Sequence, residues 1–454
     1  MSKVALIGGG GARTPLLIHG LAREAAELGI SELALYDIDG VAAELMAALG
    51  REIVRACGVE LKVEATASIE RAIDGARFVL SSIRVGGMQA RARDERIIIE
   101  HGMVGQETTG PGGLAMALRT VPVALEHARM VERLAPEAWL INFTNPAGLI
   151  TQALTGHSGA RVIGICDTPS ELFHRIAWSL GLPFEELAFD YAGLNHLGWV
   201  RRVLHNGVDI TGRLLADDDA LLRLYPTRLF EPEMIRALGL IPTEYLFFHY
   251  GRGRAYRNQC AAGASRGEEI ARLNAGLFDR LRAAVEPTQA VEIYKRYLNQ
   301  RNASYMKLEG EAGSALKDEV FDWDPFEGAT GYHRIALEVM LALGGVEPKR
   351  VIVNVRNCGA IEGLADDDVV EVPAVMDCNG ARPLAVGALP EAVRGLTLAA
   401  KAYERIAVRA AMEGSLEQAR LALLTNPMVG EWALAVQVLD ALAASDVKHL
   451  GYLR

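Results

Sequence analysis

The run Lys3-Val4-Ala5-Leu6-Ile7-Gly8-Gly9-Gly10-Gly11-Ala12-Arg13-Thr14-Pro15 decides the fold of this chain. A short strand-like segment enters four consecutive glycines, and Thr14-Pro15 opens a helical pattern that continues to residue 28. Strand, tight turn and helix N-terminus together present free backbone N–H groups and a positive dipole end, which suit a pyrophosphate. A second strand over residues 33–36 stops at Asp37, close to the spacing of the acid that binds an adenosine ribose. A carboxylate there accepts from a 2′-hydroxyl and repels a 2′-phosphate, so Asp37 favours NAD over NADP. Gly8, Gly10 and Gly11 are the candidate cofactor-binding glycines. Arg13, however, stands where the third glycine of GxGxxG belongs.

Outward from this unit, residues 78–82, 139–143 and 161–165 are apolar strand candidates separated by helical stretches, as in a parallel sheet. Helices dominate after about residue 214, with long stretches at 268–301 and 332–343, strands at 351–355 and 369–375, and an Ala-rich helical end. The expected fold is therefore α/β. An N-terminal Rossmann-like parallel sheet (1–165) would bind NAD, and a C-terminal α/β domain rich in helices (166–454) would carry substrate, metal and the oligomer contacts.

In 454 residues, Asp and Glu total 57 against 47 Lys and Arg, for a net charge of −10. That balance excludes a nucleic-acid partner reached by bulk electrostatics, and an anionic small molecule would need local arginines. Half of the residues are hydrophobic, and no apolar run approaches the roughly 18–20 residues of a membrane span. The N-terminus goes straight into a strand pattern without a signal-peptide design, so no membrane and a cytoplasmic location are expected. Cys57, Cys166, Cys260, Cys358 and Cys378 are scattered, without a CxxC, which leaves neither a disulfide framework nor a structural zinc site.

Three segments are too polar and glycine-rich for ordinary core: residues 84–87 (RVGG), 105–113 (GQETTGPGG) and 142–146 (NFTNP). In an open parallel sheet, loops at the carboxyl ends of strands line the ligand crevice, so these side chains can converge. Cys166-Asp167 ends an apolar strand and Asn195-His196 follows. Thiolate and imidazole are transition-metal ligands, and two of them leave open positions for substrate oxygens. A buried cysteine and a hydrogen-bonded core histidine remain the structural alternative.

GGGGARTP (8–15), IRVGG (83–87), DERI (94–97), GQETTGPGG (105–113), INFTNPAG (141–148), IGICDTP (163–169), AGLNHLGW (192–199) and IPTEYL (241–246) resemble, in order and approximate spacing, the NAD-dependent glycoside hydrolase family 4 of 6-phospho-glucosidases. The resemblance covers nearly the whole chain. It implies a two-domain architecture like that of lactate and malate dehydrogenases. It also implies Cys166 and His196 as ligands of a divalent metal, usually Mn2+, and Tyr245 as catalytic base. Hydrolysis in this family does not use two carboxylates. NAD transiently oxidises the sugar at C3, the base removes the C2 proton, the C1 group is eliminated, water adds, and the hydride returns. A tyrosine of ordinary pKa about 10 needs a metal or arginine nearby to act as that base.

The resemblance further places Asn145 on sugar hydroxyls and Arg84 and Arg266 in the substrate site, where a guanidinium suits phosphate. Arg84 also neighbours the cofactor. Asp167 resembles the α-specific members, many β-specific ones having Asn there, and is a second catalytic candidate, whereas AGLNHLGW and INFTNPAG look more like the β group. Two departures stand out: Phe247-Phe248-His249-Tyr250 replaces further tyrosines, and the later aromatic loop is 328–332 (GATGY). The expected activity is a 6-phospho-glycosidase, β in preference to α, assembled as a homodimer or homotetramer. An NAD-dependent hydroxyacid dehydrogenase is the alternative from another class, distinguished by net NADH production. A sugar-phosphate or NADH sensor would have no need of Tyr245.

Overall fold

The computed structural model describes residues 2–308, 310, 324–328 and 330–454, so Ala329 of the aromatic loop lies outside the described residues. Strand β1 (Ser2–Ile7) leads through the glycines into α1 (Thr14–Leu28), then β2 (Ile30–Tyr36), α2 (Gly40–Cys57), β3 (Lys62–Thr66), α3 (Ile69–Ile73) and β4 (Ala76–Ser81). Helices α4 (Gly87–Glu100) and α5 (Gly110–Leu134), strand β5 (Trp139–Asn142), α6 (Ala147–His157), β6 (Arg161–Gly164) and α7 (Thr168–Leu180) complete the alternating part. The parallel strands lie in the order β6-β5-β4-β1-β2-β3, so chain direction across the sheet reverses on either side of β1. Ile7 pairs with both Tyr36 and Ser81, which puts the glycine turn at that switch point, the usual ligand crevice of such sheets.

Alternation along β1 sends its side chains to two cores. Val4 and Leu6 pack with Ile18 and Leu21 of α1 and Met46 of α2. Ala5 and Ile7 pack with Leu118 and Val121 of α5 and Ile150 of α6. All of these residues are buried, and strands covered on both faces read as unbroken apolar runs.

The sheet does not end at β6. Strands β7 (Leu187–Leu194) and β8 (Leu197–His205) form an antiparallel hairpin that the sequence reading did not anticipate. β9 (Val208–Asp209) and β10 (Ile241–Pro242) pair with β8, and β13 (Gly380–Pro383) pairs with β12 (Val369–Asp377). β11 (Lys349–Arg356) and β12 bridge the two halves, through Asn354 opposite Gly164 and Glu371 opposite Gly193. This brings the β7–β8 turn beside the C-terminal end of the parallel strands.

The expected continuous helix over 268–301 is two helices, Arg266–Ala283 and Pro287–Ala303. Proline has no N–H to donate and its ring clashes with the preceding turn, so Pro287 starts a new helix. Among the described residues no helix is long and apolar enough to cross a membrane.

Candidate active site

Gly8 adopts φ +93°, and a Cβ there would come within 2.2 Å of the Ser82 carbonyl oxygen, so only glycine lets the turn pass between β2 and β4. Gly8 and Gly9 both donate to Tyr36 O at 2.9 Å, and Gly10 N donates to Asp37 Oδ2 at 2.9 Å. Asp37 thus closes the turn.

The loop preceding α5 is held by Gln106, whose Oε1 accepts from Thr108 N, from Thr108 Oγ1 at 2.9 Å and from Thr109 N at 2.9 Å. Gly112 makes this possible, because a Cβ there would meet Gln106 O at 2.0 Å. Glu107 points the other way and binds two cations: Arg84 Nη1 and, at 2.9 Å, Arg91 Nη1. Burial alone would push the Glu107 carboxyl up, but Arg84 and Arg91 outweigh it and bring it down to about 2. Arg91 is itself anchored by Glu95 at 2.8 Å.

His196 sits in the tight turn between β7 and β8 at φ +61°, a conformation rare for a residue with a Cβ. Its neighbour Asn195 is clamped from both sides: Oδ1 accepts from Gly148 N at 3.2 Å, and Nδ2 donates to Glu371 Oε1 at 3.2 Å. Glu371 also accepts from Tyr191 OH at 2.6 Å and Asn354 Nδ2 at 3.1 Å. Burial pushes this carboxyl up to about 7, against those three donors.

The His196 ring lies flat on Tyr245, with centroids 3.8 Å apart and planes 2° from parallel. Its Nδ1 is 3.1 Å from Thr108 Oγ1. Since the Thr108 hydroxyl donates to Gln106, its oxygen accepts from Nδ1–H, which leaves the lone pair on Nε2. That Nε2 is buried and has no hydrogen-bond partner. Burial pushes the imidazole down to about 3, with Glu107 opposing, so the ring is neutral near pH 7.

Cys166 is buried at the end of β6, and burial, then Glu371 and Asp167, raise its thiol well above the ordinary value. Asp167 precedes α7. Burial raises its carboxyl to about 6, opposed by Arg13 and reinforced by Glu171. Asn145 lies in the loop after β5, and its Oδ1 is buried without a partner.

Among the described residues, no three His, Cys, Asp or Glu side chains assemble into a closed metal cage. The neutral His196 with a free Nε2 and the nearby Cys166 fit an open two-ligand site, whose other positions would be filled by oxygens from outside the protein. Burial raises the Tyr245 hydroxyl well above 10, and Tyr332, Glu107 and Glu244 add to the effect. A divalent cation held by Cys166 and His196 is the charge that would bring it down.

Two expected residues are placed differently from the rest. Arg266 begins its helix with Nη1 at 2.6 Å from both Glu269 Oε2 and Ser304 Oγ, and Nη2 reaches Arg301 O at 3.4 Å. Arg84 shares its charge with Glu107. Sequence reasoning missed Arg91, Glu107, Glu244, Arg301 and Tyr332 as site residues. Glu107 lay in plain view inside GQETTGPGG. Arg301 carried no local signal at all.

The family 4 glycosyl hydrolase model matches residues 3–182, and the model of that family's C-terminal domain matches residues 191–429. The chain belongs to the family 4 glycosyl hydrolases. It is 33% identical to a probable 6-phospho-β-glucosidase of Bacillus subtilis, covering 99% of this chain and 97% of the relative. Among solved structures, the Thermotoga maritima 6-phospho-β-glucosidase with manganese, NAD+ and glucose 6-phosphate superposes with a TM-score of 0.82 at 27% identity, covering 99% of each chain. A 6-phospho-α-glucosidase from gut microorganisms, solved with NAD and Mn2+, gives 0.80 at 25% identity over 99% of this chain and 98% of that one. Malate dehydrogenase of Plasmodium falciparum shares the fold alone, at 0.52 and 15% identity, covering 91% of this chain and 99% of that one.

Proposed function

We propose that this family 4 member hydrolyses 6-phospho-β-glucosides with NAD and a divalent metal, manganese foremost. The observation that carries the reading is the stack of neutral His196, its Nε2 unpartnered, on the phenol of Tyr245, beside the crevice where the glycine turn emerges. Gly8, Gly10 and Gly11 would cradle the pyrophosphate, Asp37 the adenosine ribose, and Cys166 with His196 the metal. Bound there, NAD would supply a reversible hydride acceptor and the metal a Lewis acid. Tyr245 takes the C2 proton of the sugar. Arg91 and Arg13, both within electrostatic reach of that phenol, stabilise its anionic form. Asn145 Oδ1 accepts from a sugar hydroxyl, Arg84 stands between cofactor and sugar, and Arg266 braces the substrate side through Ser304 and the Arg301 backbone. A phosphorylated sugar does not cross membranes unaided, which supports a cytoplasmic site of action.

Asp167 favours a second reading. Its carboxyl, raised to about 6, holds a proton in part of the molecules near neutral pH and could deliver it to an axial leaving group, as an α-glucosidase requires. A panel of 4-nitrophenyl α- and β-glycosides, gluco and galacto, with and without 6-phosphate, separates the two when assayed with NAD and manganese. Hydrolysis should require NAD and leave its amount unchanged. Steady NADH accumulation would convert the reading to a dehydrogenase, and full activity after exhaustive NAD removal would end the redox mechanism.

A further inference from the structure

One row of directly opposed residues crosses five strands of the sheet: Gly164 of β6, Asn354 of β11, Glu371 of β12, Gly193 of β7 and Gly198 of β8. Its two ends carry the candidate metal ligands. Cys166 follows Gly164 by two residues, and His196 lies in the turn between Gly193 and Gly198. At the centre of the row Glu371 is buried on a strand whose neighbours Val370 and Val372 belong to the apolar core. Its partners are three neutral donors: Asn195 Nδ2 at 3.2 Å and Asn354 Nδ2 at 3.1 Å, both on Oε1, and Tyr191 OH at 2.6 Å on Oε2. Burying a carboxylate costs stability, and what a satisfied polar network gives in return is a single fixed arrangement.

The glycines show how closely that network is packed. A Cβ on Gly198 would lie 2.0 Å from Tyr191 OH, one on Gly164 2.8 Å from Asn354 Cβ, and one on Gly148 2.9 Å from Asn195 Cβ. Each residue that donates to Glu371 thus occupies space that a glycine leaves open. Asn195 Oδ1 also accepts from Gly148 N, three residues beyond Asn145, so the network reaches the segments bearing Asn145, Cys166 and His196.

We propose that Glu371 is the positioning residue of the metal site. Through Asn195 it holds the turn that carries His196, and through Asn354 the strand end that carries Cys166, so the protein itself fixes the separation of imidazole and thiol. The assignment rests on the reading of Cys166 and His196 as metal ligands. Its agents are the hydrogen bonds accepted at Oε1, where the two amides converge. A glutamine keeps that oxygen as an acceptor, and the Tyr191 hydroxyl can turn to accept from its amide, whereas a leucine accepts nothing.

Glu371→Gln, Glu371→Leu and Asn195→Ala are compared in the full chain, with Tyr191→Phe as a variant that leaves both amide bonds in place. Mn2+ affinity is measured without substrate by competition with a chelator, and NAD affinity reports folding. The thiolate-to-metal charge-transfer absorption of the Co2+-loaded protein reads ligand geometry, which a loss of stability alone would not move. Glu371→Leu and Asn195→Ala should each lose about 10–100-fold in Mn2+ affinity and alter the cobalt band, with NAD affinity intact. Glu371→Gln and Tyr191→Phe should keep both. Should Glu371→Leu fail to fold, Asn195→Ala against Glu371→Gln makes the same comparison. Wild-type Mn2+ affinity in Asn195→Ala overturns the assignment. So does a loss in Glu371→Gln as large as in Asn195→Ala, which would make the charge of Glu371 the agent and not its hydrogen bonds. A wild type without a cobalt–thiolate band removes the metal reading and this one with it, whereas a normal band shared by all variants removes only the role of Glu371.

Discussion

At His196, one backbone angle and one hydrogen bond decide whether an imidazole is free to hold a metal. The φ of +61° turns the ring onto Tyr245, and Thr108 fixes which nitrogen carries the proton. In the GQETTGPGG loop, Gln106 gathers the N–H and O–H groups of Thr108 and Thr109. Its effect is to orient the Thr108 oxygen as an acceptor. Partners of this kind change metal affinity by about 10–100-fold when removed. Thr108→Val should therefore weaken Mn2+ binding by about that factor in the absence of substrate, and Thr108→Ser should keep it. Equal Mn2+ affinity in the Val variant, measured by competition with a chelator, would show that the tautomer is set elsewhere.

The site is assembled at the scale of elements from segments that share no local pattern. β1, β4, β5 and β6 end at one edge of the sheet, and the β7–β8 hairpin meets that edge because β11 and β12 continue the sheet without a gap. The glycine turn is the tightest junction. Gly8→Ala would place a methyl 2.2 Å from the Ser82 carbonyl at a φ that alanine avoids, so the β1 and β4 ends must separate. A cost of about 1–3 kcal/mol is expected, together with weakened NAD binding. A urea unfolding midpoint and NAD affinity both equal to wild type would mean the turn has room that this geometry does not provide.

For the whole molecule, several carboxyls are buried with opposite consequences for stability. Burial pushes Glu244 up to about 8, with Glu171 adding, although Thr168 and Tyr305 both donate to its Oε1, at 3.2 and 2.9 Å. A carboxyl raised in this way binds its proton more tightly folded than unfolded. Its contribution is complete below the ordinary value of 4.5 and is lost as pH rises towards about 8. Glu371, raised to about 7, acts in the same sense. Glu107, brought down to about 2, acts in the opposite sense and stabilises above 4.5. Glu244→Gln should flatten the decline in Tm between about pH 4.5 and 8 and leave the acid limb intact. A decline as steep as in the wild type would assign it to other groups.

The parallel half of the fold was legible because its signals are local: apolar runs of strand length, glycines where the chain must turn sharply, and Asp37 at the end of β2. Cys166, His196 and Tyr245 stood out only through the resemblance to family 4, because their residue types and spacing alone fit a buried cysteine, a core histidine and an aromatic in an apolar stretch equally well. The β7–β8 hairpin was not legible, because a strand's identity there depends on pairing with β12 and β10 rather than on its own residues. Nor were the roles of the arginines. Charge in a sequence says nothing about counter-charge in space: Arg84 and Arg266 look available until Glu107 and Glu269 are seen to pair with them. The order of elements and the chemistry of single motifs were determined by the sequence alone. Which cation meets which carboxylate, which imidazole nitrogen stays free and which carboxyl keeps its proton were decided by tertiary structure, because each depends on burial and on neighbours distant along the chain.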